Sequence, residues 1–98
     1  MSAARLSPRA RADMLSAIRW IAHDNPAAAR GLRISIARAA KRIGRHEEIG
    51  VVRPDLATDN YRFVSLTGFP YLLIYNVDRK PPMIVRILHG ARDLPAAL

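Results

Sequence analysis

The chain predicts an α+β fold, a helical hairpin laid on a small antiparallel sheet. Two observations carry that expectation. Residues 61–92 hold three runs dense in β-branched and aromatic residues, 61–66, 70–77 and 83–88, parted by Gly68-Phe69-Pro70 and by the turn Asp78–Pro82. Both connections are too short for a crossover helix, so the runs form an antiparallel meander. Most of what precedes residue 46 steps instead at helical spacing.

Residues 2–6 are a short candidate edge strand, which makes the sheet three- to four-stranded. Ser7-Pro8 starts a helix, with serine as the N-cap and proline at the first helical position. Met14, Leu15, Ile18, Ile21 and Ala22 form its apolar stripe. Asp24-Asn25-Pro26 ends this helix and opens the next, with Asn25 as the cap. In the second helix Ala29, Leu32, Ile36, Ala39 and Ile43 step by three and four, and Gly44 is expected to end it. So short a break makes the two helices antiparallel. Residues 45–60 form a long connection with Gly50, Pro54 and no period.

At 98 residues, half of them hydrophobic, the chain is expected to be one domain, 1–98. No apolar run approaches membrane-spanning length, and no membrane partner is expected. The first residues lack the apolar core of a secretory signal. There is no cysteine, which removes disulfides and thiolate chemistry and fits a reducing, cytoplasmic setting. The net charge is +8 and uneven. Residues 1–46 hold ten Lys or Arg against Asp13 and Asp24, while residues 47–98 hold six of each sign. Arginine outnumbers lysine fourteen to two, which suits bidentate contact with phosphate or carboxylate. The charge points to an acidic partner, protein or nucleic acid; the alternative is a solvated helix surface shaped by codon bias.

Both faces of the meander are apolar. Tyr71, Leu73, Tyr75 and Val77 alternate with Leu72 and Ile74, and Met83, Val85 and Ile87 alternate with Ile84 and Leu88. Two helices cover one face only. The other is expected to be covered by the apolar tail, a second copy or another chain.

The order strand, helix, helix, meander resembles the RelE/ParE superfamily of toxins from bacterial type II toxin–antitoxin systems. Asn25-Pro26-Ala27-Ala28-Ala29 looks like its NP-x-A-A signature. Tyr61-Arg62, Gly68-Phe69-Pro70-Tyr71, Ile74-Tyr75 and Ile87-Leu88-His89-Gly90-Ala91-Arg92-Asp93 resemble the ParE branch in order and spacing. Residues 50–56, Gly-Val-Val-Arg-Pro-Asp-Leu, follow the family's G-x-x-x-P-x-L loop only loosely. The resemblance implies a small toxin in a hetero-oligomer with a cognate antitoxin, an acidic ribbon-helix-helix DNA-binding protein. It implies DNA gyrase as the target in the ParE branch and ribosome-bound mRNA in the RelE branch. A degenerate paralogue that only binds antitoxin is the third possibility. No cofactor is implied.

Metal-independent RNA cleavage needs a base, an acid and cations around the phosphorane. Arg62, Arg86, His89 and Arg92 are the residues that could supply them. Ribonuclease members resemble one another in a basic cluster near the sheet and a Tyr or His close to the C-terminus. Here Asp93–Leu98 contains neither, nor any Lys or Arg. The expected activity is therefore target binding without chemistry. The resemblance to the ParE branch implies a target contact after the last strand, here at Arg92, Leu94 and Leu98. Antitoxin contacts are expected at Arg30, Arg33, Arg38, Lys41, Arg42 and Arg45, and at Tyr71, Leu73 and Tyr75. Trp20 is either a partner anchor or buried against the second helix, and burial is the expectation. His46 beside Glu47-Glu48 hints at a metal, but no further ligand completes a set, so none is expected.

Overall fold

A computed structural model describes residues 2–93. In chain order they form β1 (Arg5–Leu6), α1 (Pro8–Asp24), α2 (Pro26–Arg45), β2 (Tyr61–Ser65), β3 (Tyr71–Asn76) and β4 (Met83–His89). Two helices lie on one face of a four-stranded sheet of order β1-β4-β3-β2. The meander is antiparallel, as its short turns require. The edge strand β1 pairs parallel to β4, Arg5 opposite Met83 and Leu6 opposite Ile84, so the sheet is mixed rather than wholly antiparallel.

Local chemistry sets the helix ends. Ser7 Oγ accepts from Ala10 N at 3.0 Å, with Pro8 at the first helical position. Asn25 serves both helices. Its N–H donates to Ile21 O at 2.8 Å, and its Oδ1 accepts from Ala28 N at 3.0 Å. The stripe Ala29, Leu32, Ile36, Ala39 and Ile43 is buried throughout. Gly44 does not end α2, which runs to Arg45. Its missing side chain serves a close approach instead: an added Cβ would stand 2.0 Å from the Ser2 carbonyl oxygen. The N-terminal backbone lies over α2 there, and Ala4 N donates to Ala40 O at 2.8 Å. In α1 the buried positions are Ala10, Met14 and Ala17, while Leu15 turns outward, contrary to expectation.

The core lies between helices and sheet, where Tyr71, Leu73, Tyr75, Ile84 and Ile87 meet Met14, Leu32, Ile36 and Ile43. Simple alternation along β4 fails because of a register shift: Ile74 faces Arg86 while the next residue, Tyr75, faces Ile84. That bulge puts both Ile84 and Ile87 on the helix side and re-aims the strand's outer half. The second sheet face is covered by the chain's own long connection. Leu56 and Ala57 pack with Tyr61 and Val85 over the buried Phe63, Ile74 and Leu88. Among the described residues this cover comes from the long connection, which is a lid over the sheet as well as a return path, where a second copy or another chain was the expected alternative to the tail. The tail itself lies outside the described residues.

Candidate functional site

A groove of about 480 Å³ opens between α2 and the β2–β3 turn. Gly31, Ile34, Arg38 and Arg42 form one wall, and Leu66 and Phe69 form the other. Ile34 is 49% exposed at the groove's mouth. The groove thus has an apolar floor and a basic rim. It lies beside β2, the last strand of the sheet, but that edge is partly closed. Val51 exchanges two backbone bonds with Phe63, each 2.9 Å. An added strand would find free backbone only toward Ser65.

The same end of the sheet, where Gly90 N donates to Pro70 O at 2.9 Å, carries a second constellation. After β4 the chain turns back, and Asp93 N donates to His89 O at 2.9 Å. His89 N donates to Asp93 Oδ2 at 3.1 Å, and Arg92 N donates to His89 Nδ1 at 3.1 Å. Nδ1 is therefore an acceptor, and a neutral ring carries its proton on Nε2. The ring stands edge-on to Tyr71, centroids 5.6 Å apart at 80°. The Arg92 guanidinium pairs with Asp93 (3.0 Å), which holds the Asp93 carboxyl below its usual range. A hollow lined by Ser16, Trp20, Tyr71, Ile87, Arg92 and Asp93 joins this turn to α1. Trp20 is 72% exposed there, against the expectation of burial. Its position falls roughly 90° off the centre of the Ala10, Met14, Ala17, Ile21 stripe, and that angle is the signal a sequence reading had available.

Two further arginines are held structurally. Arg62 donates from its guanidinium to Gly50 O at 2.9 Å and Glu48 O at 3.3 Å, so it binds loop carbonyls rather than a carboxylate. Tyr75 completes that latch. Its hydroxyl donates to Glu47 O at 2.6 Å and accepts from Gly50 N at 2.9 Å. Gly50 is required for the fit, because a Cβ there would lie 2.8 Å from both Arg62 Cβ and Tyr75 Cε1. Arg86 pairs with Asp13 of α1 at 2.8 Å, and the same carboxylate accepts from Ile87 N at 3.0 Å.

The expected site residues therefore separate into groups. Arg30, Arg33, Arg38, Lys41, Arg42 and Arg45 are all exposed on α2. Tyr71, Leu73 and Tyr75 are in the core beneath the helices, so they offer no surface to an antitoxin; parity assigned them a face, and that face is the one the helices cover. His89 and Arg92 come together, while Arg62 and Arg86 are tied down by other parts of the fold. Leu94 and Leu98 lie outside the described residues. Among the described residues no group of three His, Cys, Asp or Glu is placed to hold a metal ion, and no helix is long and apolar enough to cross a membrane.

No curated protein matches the sequence at a significant level. A solved structure of the chromosomal ParDE toxin–antitoxin system from P. aeruginosa is similar in fold, with a TM-score of 0.74 at 21% identity, covering 91% of this chain and 96% of that one. The family model for the ParE toxin of the type II toxin–antitoxin system parDE matches residues 4–94, nearly the whole length. The chain belongs to the ParE family of toxins of type II toxin–antitoxin systems.

Proposed function

We propose that this toxin acts by binding a type II topoisomerase, DNA gyrase, trapping it on cleaved DNA, and that it performs no RNA cleavage of its own. The observation that carries this reading is where the four polar candidates stand. A phosphorane needs cations preorganised around the developing charge and not already spent on other partners. Arg62 is committed to loop carbonyls, and Arg86 is half-buried against Asp13. Only His89 and Arg92 share a site, and there Arg92 is paired with Asp93 while the His89 Nδ1 already accepts a hydrogen bond from the Arg92 backbone N–H. The exposed Arg92 turn, followed by the apolar Leu94 and Leu98, is the proposed target contact.

The proposed second partner is a cognate antitoxin, an acidic ribbon-helix-helix protein. Its tail fits the groove between α2 and the β2–β3 turn: apolar side chains against Ile34, Leu66 and Phe69, acidic ones against Arg38 and Arg42.

Expression of the toxin alone tests the mechanism. Double-strand breaks and a DNA-damage response are expected, with no cuts inside codons by primer extension. Deleting Pro95–Leu98 should abolish killing while melting temperature and antitoxin binding persist. Toxin-dependent mRNA cuts that vanish in His89→Ala would refute the reading, as would a truncated toxin that still kills.

A further inference from the structure

The basic surface of α2 is divided into two strips with different chemistry. Ile34, Arg38 and Arg42 border the groove. The adjacent strip runs Arg30, Arg33, Ala37, Lys41, Arg45 in steps of three and four, so it winds across about 120° of the helix surface. All five are exposed. From Arg30 to Arg45 the strip extends about 22 Å along the helix.

Among the described residues nothing neutralises this strip. The helix Pro26–Arg45 contains no acidic residue. Among the described residues, the ion pairs join Arg53 to Asp55, Lys80 to Glu47, Arg86 to Asp13 and Arg92 to Asp93, and none reaches α2. Four cations in a row repel one another unless an anion lies across them. Their persistence without an internal counter-ion points to an external polyanion.

The chemistry of the strip selects among polyanions. A protein partner is held chiefly by a desolvated apolar centre with charges at its rim. The groove has such a centre, whereas this strip holds only Ala37. Single-stranded nucleic acid calls for aromatic side chains to stack on, and none lies on the strip. A duplex backbone needs neither. Its phosphates offer regularly spaced charge that Arg and Lys neutralise with release of counterions. Three of the four cations are arginines, whose planar forks suit phosphate oxygens.

We infer that Arg30, Arg33, Lys41 and Arg45 form a contact surface for the phosphate backbone of duplex DNA, separate from the groove. It contacts phosphates only and so reads no sequence. The toxin then brings its own DNA affinity to whatever DNA-bound assembly it joins, and this contact does not depend on which target enzyme the toxin meets.

The test is fluorescence anisotropy of the full-length toxin with a labelled 20-base-pair duplex of arbitrary sequence, from 50 to 200 mM NaCl. Four phosphate contacts give a slope of about −3.6 in log K against log salt, a loss of roughly 10²-fold across that range. Arg30→Gln/Arg33→Gln/Lys41→Gln/Arg45→Gln should remove most of the binding and of the slope, with the melting temperature retained. The pair Arg33→Gln/Lys41→Gln should remove about half the slope, and serves if the fourfold variant folds poorly. Arg5→Gln/Arg9→Gln/Arg11→Gln/Arg19→Gln removes the same charge elsewhere and should retain binding. Equal losses in the two fourfold variants would show attraction by net charge alone and overturn the inference. So would no binding at 50 mM NaCl, or a strip variant that keeps DNA and loses antitoxin, which would assign the strip to the protein partner.

Discussion

Tyr75 shows how a single side chain links core to loop. Its ring is buried with Leu73 and Ile84, and its hydroxyl emerges at the start of the long connection to hold Glu47 O and Gly50 N. Removing the hydroxyl leaves the Gly50 N–H, next to the buried Tyr75, without its acceptor. Tyr75→Phe should therefore cost about 1–3 kcal/mol in chemical denaturation. Burial pushes the phenol above its ordinary value of 10.0, outweighing the Gly50 N–H and the Arg62 charge, which pull it down. The folded state thus favours the protonated ring. Its contribution is intact below the unfolded value and is lost as pH rises above it, through the folded pKa. The wild type should lose stability more steeply than Tyr75→Phe above about pH 10. Parallel curves for the two proteins would contradict this account. The latch was only half legible in the sequence. Gly50 and Arg62 stand out by family resemblance, but that their contact runs through backbone carbonyls follows from a loop path no periodicity encodes.

At the scale of elements, the decisive feature is how strand edges are closed. Strand β1 pairs with only the first two residues of β4. Beyond them three side chains take over: Ser7 Oγ donates to Val85 O, Asp13 accepts from Ile87 N, and Asp93 accepts from His89 N. An edge satisfied in this way resists pairing with another chain. Asp13→Ala removes the acceptor for Ile87 N and strands the Arg86 charge. It should destabilise by about 1–3 kcal/mol and raise self-association by size-exclusion chromatography as concentration increases. A variant that melts and elutes like the wild type would count against this role. The groove on the opposite edge is the proposed antitoxin site. Arg38→Glu/Arg42→Glu should slow antitoxin association at least tenfold at low salt and flatten its salt dependence, because rim charges act mainly on encounter. An unchanged association rate would remove the groove from the interface. The helices, their shared Asn25 cap and the meander were readable from spacing and turn chemistry. The bulge at Ile74/Tyr75 was not, since it arises from packing between strands, and it brings Ile84 and Ile87 to one face where alternation sets them on opposite faces.

Across the whole molecule, charge and exposed apolar surface are distributed by side. Unpaired cations gather on α2, and Trp20 and Arg92 stand together beside the end of β4. The asymmetry of charge was plain in the sequence, with the first 46 residues carrying the entire net +8. The second apolar face was also plain, but its cover was not. A sixteen-residue connection without period gave no sign that Leu56 and Ala57 fold back onto Phe63, Ile74 and Leu88. With Leu56 and Ala57 packed over that face, the proposed partner surfaces are the groove, the α2 strip and the Trp20–Arg92 turn. The central claim is that the last of these meets gyrase and that no chemistry follows. The most direct measurement is a supercoiling and DNA-cleavage assay with purified gyrase and purified toxin, run beside translating ribosomes under the same conditions. The account predicts blocked supercoiling, accumulation of gyrase-linked broken DNA and intact mRNA. Unimpeded gyrase together with cut mRNA on the ribosome would contradict it.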